Sequence, residues 1–288
     1  MKIRKVLIVY KKSSYATHVI DRQDSNYMRL LKEKNFAIRR SRSTHTRHME
    51  TLESVKKELQ QLGISFEVIL RYHLKPIRNY DLAITIGGDG TFLETSHLLE
   101  NGLLMGVNSV PDESVGYYCR THAKNFHRKF TALMEGSALI QPLHRLQVTV
   151  DEDTVLPLVL NDMLLSNINP AGTTRYVLKV GDVTEEQKSS GLWISPAPGS
   201  TAATHSAGGK VLHIGSKKFQ YVVREPYQPP GKCYQLLGEV LKEKDKIEIL
   251  SMMDDASLYI DGPHFTHPIR RGSLVQVKNA RKPIMAVW

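Results

Sequence analysis

The run Leu82-Ala83-Ile84-Thr85-Ile86 passes directly into Gly87-Gly88-Asp89-Gly90-Thr91, and few folds accept that junction. Five residues that can be buried on both faces suit a central parallel strand covered by helices. The carboxyl end of such a strand is where an open α/β sheet receives ligands. Glycines there allow positive φ and let a bulky anion come close to backbone N–H groups, with Asp89 beside them. The junction therefore reads as a phosphoryl-transfer site with Asp89 as the acid/base group. It also reads as a plain strand-ending turn, because Gly and Asp favour turns for local reasons. No Walker-A pattern occurs, and the G-x-G-x-x-G fingerprint fails because Leu93 stands where its third glycine is needed.

The flanking chain supports a parallel sheet. Lys5 to Tyr10 reads as a buried strand, Asp24 to Lys34 and Met49 to Leu62 as helices, and Ile64 to Leu70 as a strand. Thr91 to Leu99 reads as a helix whose N-terminus faces the glycine turn, an arrangement that suits phosphate. Met105 to Asn108 is a further short strand. Strand and helix alternate in the βα manner, which predicts a doubly wound, Rossmann-like α/β domain over residues 1–141. The segment from Arg39 to His48 is strongly basic and lacks aromatic residues for base stacking, so it is expected to be a solvated loop rather than an RNA contact.

After Gln141 the texture changes. Candidate strands follow without long helices: Leu146 to Val150, Val155 to Leu165, Tyr176 to Val180, Leu192 to Ser195, Phe219 to Val223, Lys246 to Leu250, Ala256 to Ile260 and Leu274 to Lys278. That pattern predicts an antiparallel all-β C-terminal domain over 142–271, with residues from about 272 to 288 returning to the first domain. A chain of 288 residues with a net charge of +10 favours an anionic partner without saying which. Cys119 and Cys233 sit in no metal spacing and suit reduced packing residues. The early apolar run from Val6 to Tyr10 is too short for a signal peptide, and no stretch approaches membrane-spanning length, so a cytoplasmic protein is expected.

Two stretches of the β half carry polar groups that need partners. Asn161-Asp162 interrupts an apolar strand, and burying both without hydrogen bonds would be costly; a neighbouring turn or a ligand's hydroxyls could supply them. The stretch Ser190 to Gly209 leads a strand into a small-residue loop, where hydroxyls at Ser200, Thr201 and Ser206 could read the edge of a flat base.

Taken together, Gly87-Gly88-Asp89-Gly90-Thr91, Asn161-Asp162, Gly199-Ser200-Thr201-Ala202 and Ser206-Ala207-Gly208-Gly209 resemble the ordered motifs of the NAD kinases. Gly106-Val107-Asn108, Gly116-Tyr117-Tyr118 and Tyr259-Ile260-Asp261-Gly262 fall where that family has similar residues. The resemblance runs from about residue 80 onward. It implies transfer of the ATP γ-phosphate to the 2′-hydroxyl of the adenosine ribose of NAD or NADH, with magnesium or another divalent cation. It implies Asp89 as general base, Gly88, Gly90 and Thr91 along the phosphates, and Asn161 and Asp162 on the ribose hydroxyls and adenine. Thr201, Ala202 and Ser206 would frame the dinucleotide. Asn108 and Ser190 are assigned to binding, and Tyr117 and Tyr118 either flank a base or fill the core. Lys188, Arg224 and His205 are candidate phosphate ligands, and His205 also reads as a surface residue. No residue is assigned as a metal ligand.

The sequence departs from the family where Ser190 replaces a usual Asp, where Asp162 replaces a commoner Glu, and where Ala197-Pro198-Gly199 replaces Pro-Thr-Gly. The lost anion at 190 bears on the choice between NAD and NADH. The resemblance further implies a homodimer or homotetramer, with neither nucleic acid nor membrane as partner. A lipid kinase of the diacylglycerol or sphingosine type shares the Gly-Gly-Asp-Gly-Thr motif, and a non-catalytic nucleotide- or RNA-binding protein is the alternative of another class.

Overall fold

The computed structural model describes residues 3–231, 233–263 and 265–288. The chain divides into two compact units, one formed by residues up to Gln141 together with Met285–Trp288, the other by Pro142–Ile284.

In the first unit the strands are β1 (Lys5–Tyr10), β2 (Ser65–Leu70), β3 (Leu82–Gly87), β4 (Leu103–Asn108) and β5 (Ile140–Leu143). They join the C-terminal strand Ile284–Val287 in one six-stranded sheet. β1 pairs in parallel with β2 on one side and β3 on the other, and β4 pairs in parallel with β3 and with the C-terminal strand. Both faces of β3 and β4 are buried, which explains why their sequences run apolar instead of alternating. Helices α1 (Ser25–Lys32), α2 (Ser41–Gln61), α3 (Asp89–Leu98) and α4 (Phe126–Glu135) complete the unit. Leu52, Val55 and Leu59 of α2 and Phe126, Phe130 and Leu133 of α4 pack with Ile8, Ile84 and Met105 in one core. Asp24 caps α1 by accepting from the Asn26 and Tyr27 N–H groups.

The basic segment is where expectation and structure part. Arg39 to His48 is not a loop: Ser41 onward forms the first two turns and more of the 21-residue α2. Nothing in that stretch breaks a helix, since it contains neither Gly nor Pro. It is held by tertiary contacts that composition does not reveal, because His48 and Thr51 are buried. The part of the chain returning to the first unit is also shorter than 272–288, because Leu274–Asn279 pairs within the second.

In the second unit the strands pair in antiparallel fashion among the described residues. One sheet is built from β6 (Leu146–Val150), β7 (Thr154–Val155), β9 (Thr174–Val180), β10 (Val183–Ser189), β14 (Lys246–Ser251) and β17 (Leu274–Asn279). The other holds β8 (Met163–Asn167), β11 (Gly191–Pro196), β12 (Phe219–Arg224), β13 (Gly238–Leu241), β15 (Ala256–Ile260) and β16 (Phe265–Ile269). The sheets share one apolar core, with Val148, Leu178 and Ile249 from the first meeting Leu165, Ile194 and Leu258 from the second. The continuous strand expected from Val155 to Leu165 is interrupted: β7 ends at Val155, a single antiparallel bridge joins Val159 to Leu146 of β6, and the chain enters the second sheet at Met163. Pro157 and the Asn161-Asp162 pair lie in the crossing. Among the described residues no helix is long and apolar enough to cross a membrane.

Candidate active site

In a parallel sheet every strand ends on the same edge, and the register aligns those ends here. Tyr10 lies opposite both Leu70 and Ile86, and Gly87 lies opposite Asn108. The residues that follow, Lys11, Arg71, Gly88-Asp89 and Ser109, are therefore gathered at one edge. Gly87, at φ +156, leaves no room for a side chain, since a Cβ would come within 2.7 Å of the Thr91 hydroxyl, and at Gly88 a Cβ would press on the Ser114 hydroxyl at 3.0 Å. Asp89 opens α3, with Gly88 as its cap. Its carboxylate accepts the backbone N–H of Tyr117 on one oxygen and that of Tyr118 on the other, each at 2.8 Å. This pair of donors fixes the carboxylate plane, the buried Cys119 thiol adds a further hydrogen bond to it, and a lone pair remains for a substrate hydroxyl.

The loop that delivers those amides is shaped by Asn108. Its Oδ1 accepts from the Val110 N–H at 3.1 Å and its Nδ2 donates to the Ser114 carbonyl at 3.0 Å. Gly116 turns with φ +59 against that amide, where any Cβ would collide with Nδ2. Asn108 is buried, and its amide holds the loop in shape. The two tyrosines divide. Tyr118 is buried and stacks on Phe92 at 5.4 Å, so its ring belongs to the core and its N–H to Asp89. Tyr117 is half-buried beneath the Arg120 guanidinium at 5.2 Å.

Lys11 and Arg71 form no motif, and sequence reasoning missed them. The signal available to it was positional: each follows the last residue of a strand in the parallel sheet. His48 was missed for the same reason as α2. Its Nε2 donates to the Lys11 carbonyl at 2.8 Å, which leaves Nδ1 to accept the Ser109 hydroxyl at 2.9 Å. Burial holds its pKa down to about 4, against the weaker pull of the Lys11 carbonyl.

In the second unit the Asn161-Asp162 stretch finds its partner in Asp261. The Asp261 carboxylate accepts the backbone N–H of Leu160 at 3.0 Å, of Asn161 at 2.7 Å and of Asp162 at 3.1 Å. Asp261 itself sits at φ +52 and donates its own N–H to the Asp162 carbonyl. Asn161 Nδ2 donates to Asp162 Oδ2 at 2.9 Å. Asp162 is buried, and burial followed by the neighbouring Asp261 charge pushes its pKa up to about 7. Near neutrality it can therefore donate as well as accept, which suits ribose hydroxyls. Arg145, also buried, faces the Asp261 charge, and burial lowers its own pKa to about 10. The Asn161 carbonyl packs directly on Gly199, where a Cβ would overlap it. The two stretches singled out in the β half are thus one structural piece.

The remaining predicted residues are placed as follows. Ser200 is buried, donates to the Ala197 carbonyl at 2.7 Å and accepts from the Leu212 N–H at 2.9 Å, so its hydroxyl holds the loop and is not offered to a base. Thr201 and Ser206 are exposed, and Ala202 is half-buried just before the short helix α5 (Ala203–Ser206). His205 uses Nδ1 on the Gly209 carbonyl at 3.1 Å, closing its own turn. Ser206 and Arg224 line one open cavity of about 520 Å³ with Trp193, Ala203, Ala207 and Glu225. Ser190 is half-buried with its N–H on the Arg224 carbonyl, and Lys188 is half-buried on the neighbouring strand. Among the described residues no group of three His, Cys, Asp or Glu side chains could hold a metal ion.

No protein-family model matches the chain. A probable NADH kinase of Oryza sativa subsp. japonica is 33% identical over 263 residues, covering 83% of this chain and 81% of that protein. The chain belongs to the NAD(H) kinase family. An NADH kinase of Arabidopsis thaliana is 29% identical over 265 residues, covering 84% and 83% of the two chains. An NAD kinase of Methanothermobacter thermautotrophicus is 31% identical over 218 residues, covering 74% of each. Two solved members of the NAD(H) kinase family share the fold. The Archaeoglobus fulgidus NAD kinase in complex with ATP superposes with a TM-score of 0.67 at 18% identity, covering 99% of this chain and 93% of that one. The yeast NADH kinase complexed with NADH gives 0.72 at 16% identity, covering 100% and 84%. These NAD and NADH kinases leave the lipid-kinase and non-catalytic binding readings without support.

Proposed function

We propose that the protein transfers the terminal phosphate of ATP to the 2′-hydroxyl of the adenosine ribose of NAD or NADH, giving the phosphorylated dinucleotide and ADP. The observation that carries this reading is the Asp89 carboxylate, fixed by two backbone N–H groups at the carboxyl edge of a parallel sheet and set among glycines. The ribose oxygen attacks the γ-phosphorus as the bond to the β-phosphate oxygen breaks, and the hydroxyl proton passes to a free lone pair of Asp89. In the second unit Asn161 and Asp162, held by Asp261, present an amide and a carboxyl suited to ribose hydroxyls. A divalent cation travelling on the phosphates would neutralise charge as the phosphoryl group moves.

The test is a steady-state assay of the purified protein with ATP and magnesium, NAD set against NADH, reading the phosphorylated product. Asp89→Asn should lower kcat by ~10²-fold or more, the usual worth of a general base, while the KM for the dinucleotide stays within a few-fold. The amide pair also favours a second reading in which Asp89 only clamps the Tyr117-Tyr118 loop. A kcat equal to the parent's, with a raised KM and a lowered Tm, would establish the clamp and remove the base.

A further inference from the structure

The order of strands in the first sheet is β2-β1-β3-β4, so the chain leaves β1 to one side for β2 and then crosses to the other for β3. That reversal between β1 and β3 is the point where ligands settle in open α/β sheets, outside the carboxyl ends of the strands. Two cations stand at this point. Lys11 follows β1, and its Cδ lies 3.6 Å from where a Cβ on Gly87 would be. Arg71 follows β2, and its Nη1 lies 4.0 Å from the corresponding position on Gly90. The pair therefore brackets the glycine turn, one cation at its start and one at its end.

Only one of these two charges has a carboxylate partner among the described residues. Among the described residues Lys11 Nζ has no carboxylate within ion-pair distance, although the side chain is only part-exposed. Burial and the nearby Arg71 charge both lower its pKa. The Arg71 side chain is 10% exposed, with Nε 2.9 Å from Glu94 Oε2 on α3, so its terminal nitrogens are steered by a fixed support. The backbone of Lys11 is held as firmly, because its carbonyl accepts from His48. Two like charges kept close together, one without a counter-ion, are costly unless an anion joins them.

We propose that Lys11 and Arg71 are the protein's ligands for the oligophosphate of the phosphate donor. The assignment to the donor rests on the kinase reading. If Asp89 meets the acceptor hydroxyl, the phosphorus in line with that hydroxyl, about 3 Å away, is the donor's terminal one, and the diphosphate of the dinucleotide lies several bonds farther off. Lys11 then meets the terminal phosphate beside Gly87, and Arg71 grips the next along with a planar fork.

The test uses inorganic tripolyphosphate as the probe, followed by calorimetry on the full chain, alongside ATP and NADH kinetics. Lys11→Met should weaken tripolyphosphate at least tenfold and raise the KM for ATP by a similar factor, with the KM for NADH changed less than twofold. Lys11→Arg should restore most of the tripolyphosphate affinity, which excludes misfolding as the cause. Lys12→Met is the charge control, since Lys12 pairs with Asp21, and it should leave the probe's affinity unchanged. Equal tripolyphosphate binding by Lys11→Met and the parent overturns the proposal, as does an equal loss in Lys12→Met. A raised KM for NADH with that for ATP unchanged overturns the assignment to the donor. If the parent phosphorylates neither NAD nor NADH, the kinase reading fails while the tripolyphosphate measurement still decides whether the cations form a phosphate site.

Discussion

At the residue scale the second unit concentrates its cost on Asp162. An ordinary aspartate is ionised above about pH 4, whereas this one holds its proton to about 7. Between those values the folded chain binds a proton that the unfolded chain has released, so stability falls as pH rises through that window and levels off above it. Asp162→Asn keeps an acceptor for Asn161 Nδ2 and has no proton to lose. It should match the parent near pH 4 and exceed it above pH 7 by at most about 4 kcal/mol. Urea midpoints at the two pH values check this; an unchanging gap would show that burial does not hold the proton. The same group titrates near neutrality, so the cost in stability falls on a residue able both to donate and to accept there.

At the element scale α2 shows what its composition concealed. Its first turns clasp the loop that feeds Asp89: Thr44 donates to Glu113 at 2.7 Å, Arg47 pairs with Asp112 at 2.7 Å, and Thr51 and His48 reach Ser109. His48 binds its proton only near pH 4 when folded, against about 6.5 in an open chain. As pH falls from about 6.5 to 4 the unfolded state takes up the proton first, and stability is lost by about 3 kcal/mol. His48→Gln should lose that slope, so thermal scans at pH 7 and pH 4.5 should separate parent from variant only at one end. Parallel shifts at both pH values would count against the clasp. The glycine turn and its strand were legible because an apolar run meeting Gly87 to Gly90 has few other uses. The helical character of Arg39 to His48 was not, since charge and missing apolar residues say loop, while its anchors lie some sixty positions away at Ser109 to Glu113. Strand β10 was hidden in a similar way: Val183–Ser189 turns Gln187 and Ser189 inward, so the buried face is polar and no apolar alternation shows. Lys11 and Arg71 became visible only when the strand register set them level.

At the scale of the whole molecule, each unit carries its own apolar core. A cavity in one should register first in that unit. Ile194 is fully buried on β11, and Ile194→Ala should cost ~2–5 kcal/mol, a large share of the net stability typical of a domain. Hydrogen exchange should show lost protection in β8, β11 and β12, with the amides of β3 less affected; uniform loss across both sheets would mean that the cores melt as one. The charge of +10 belongs to this scale as well, since it draws anionic substrates toward the protein without selecting among them. Selection falls to contacts such as the seat of the Asn161 carbonyl on the bare Cα of Gly199. With no spare volume at that seat, a lineage that widened residue 199 would have to re-route the 160–162 crossing in the same step. The loop and the acid pair can therefore change only in concert, whereas the exposed Thr201 and Ser206 are free of that constraint.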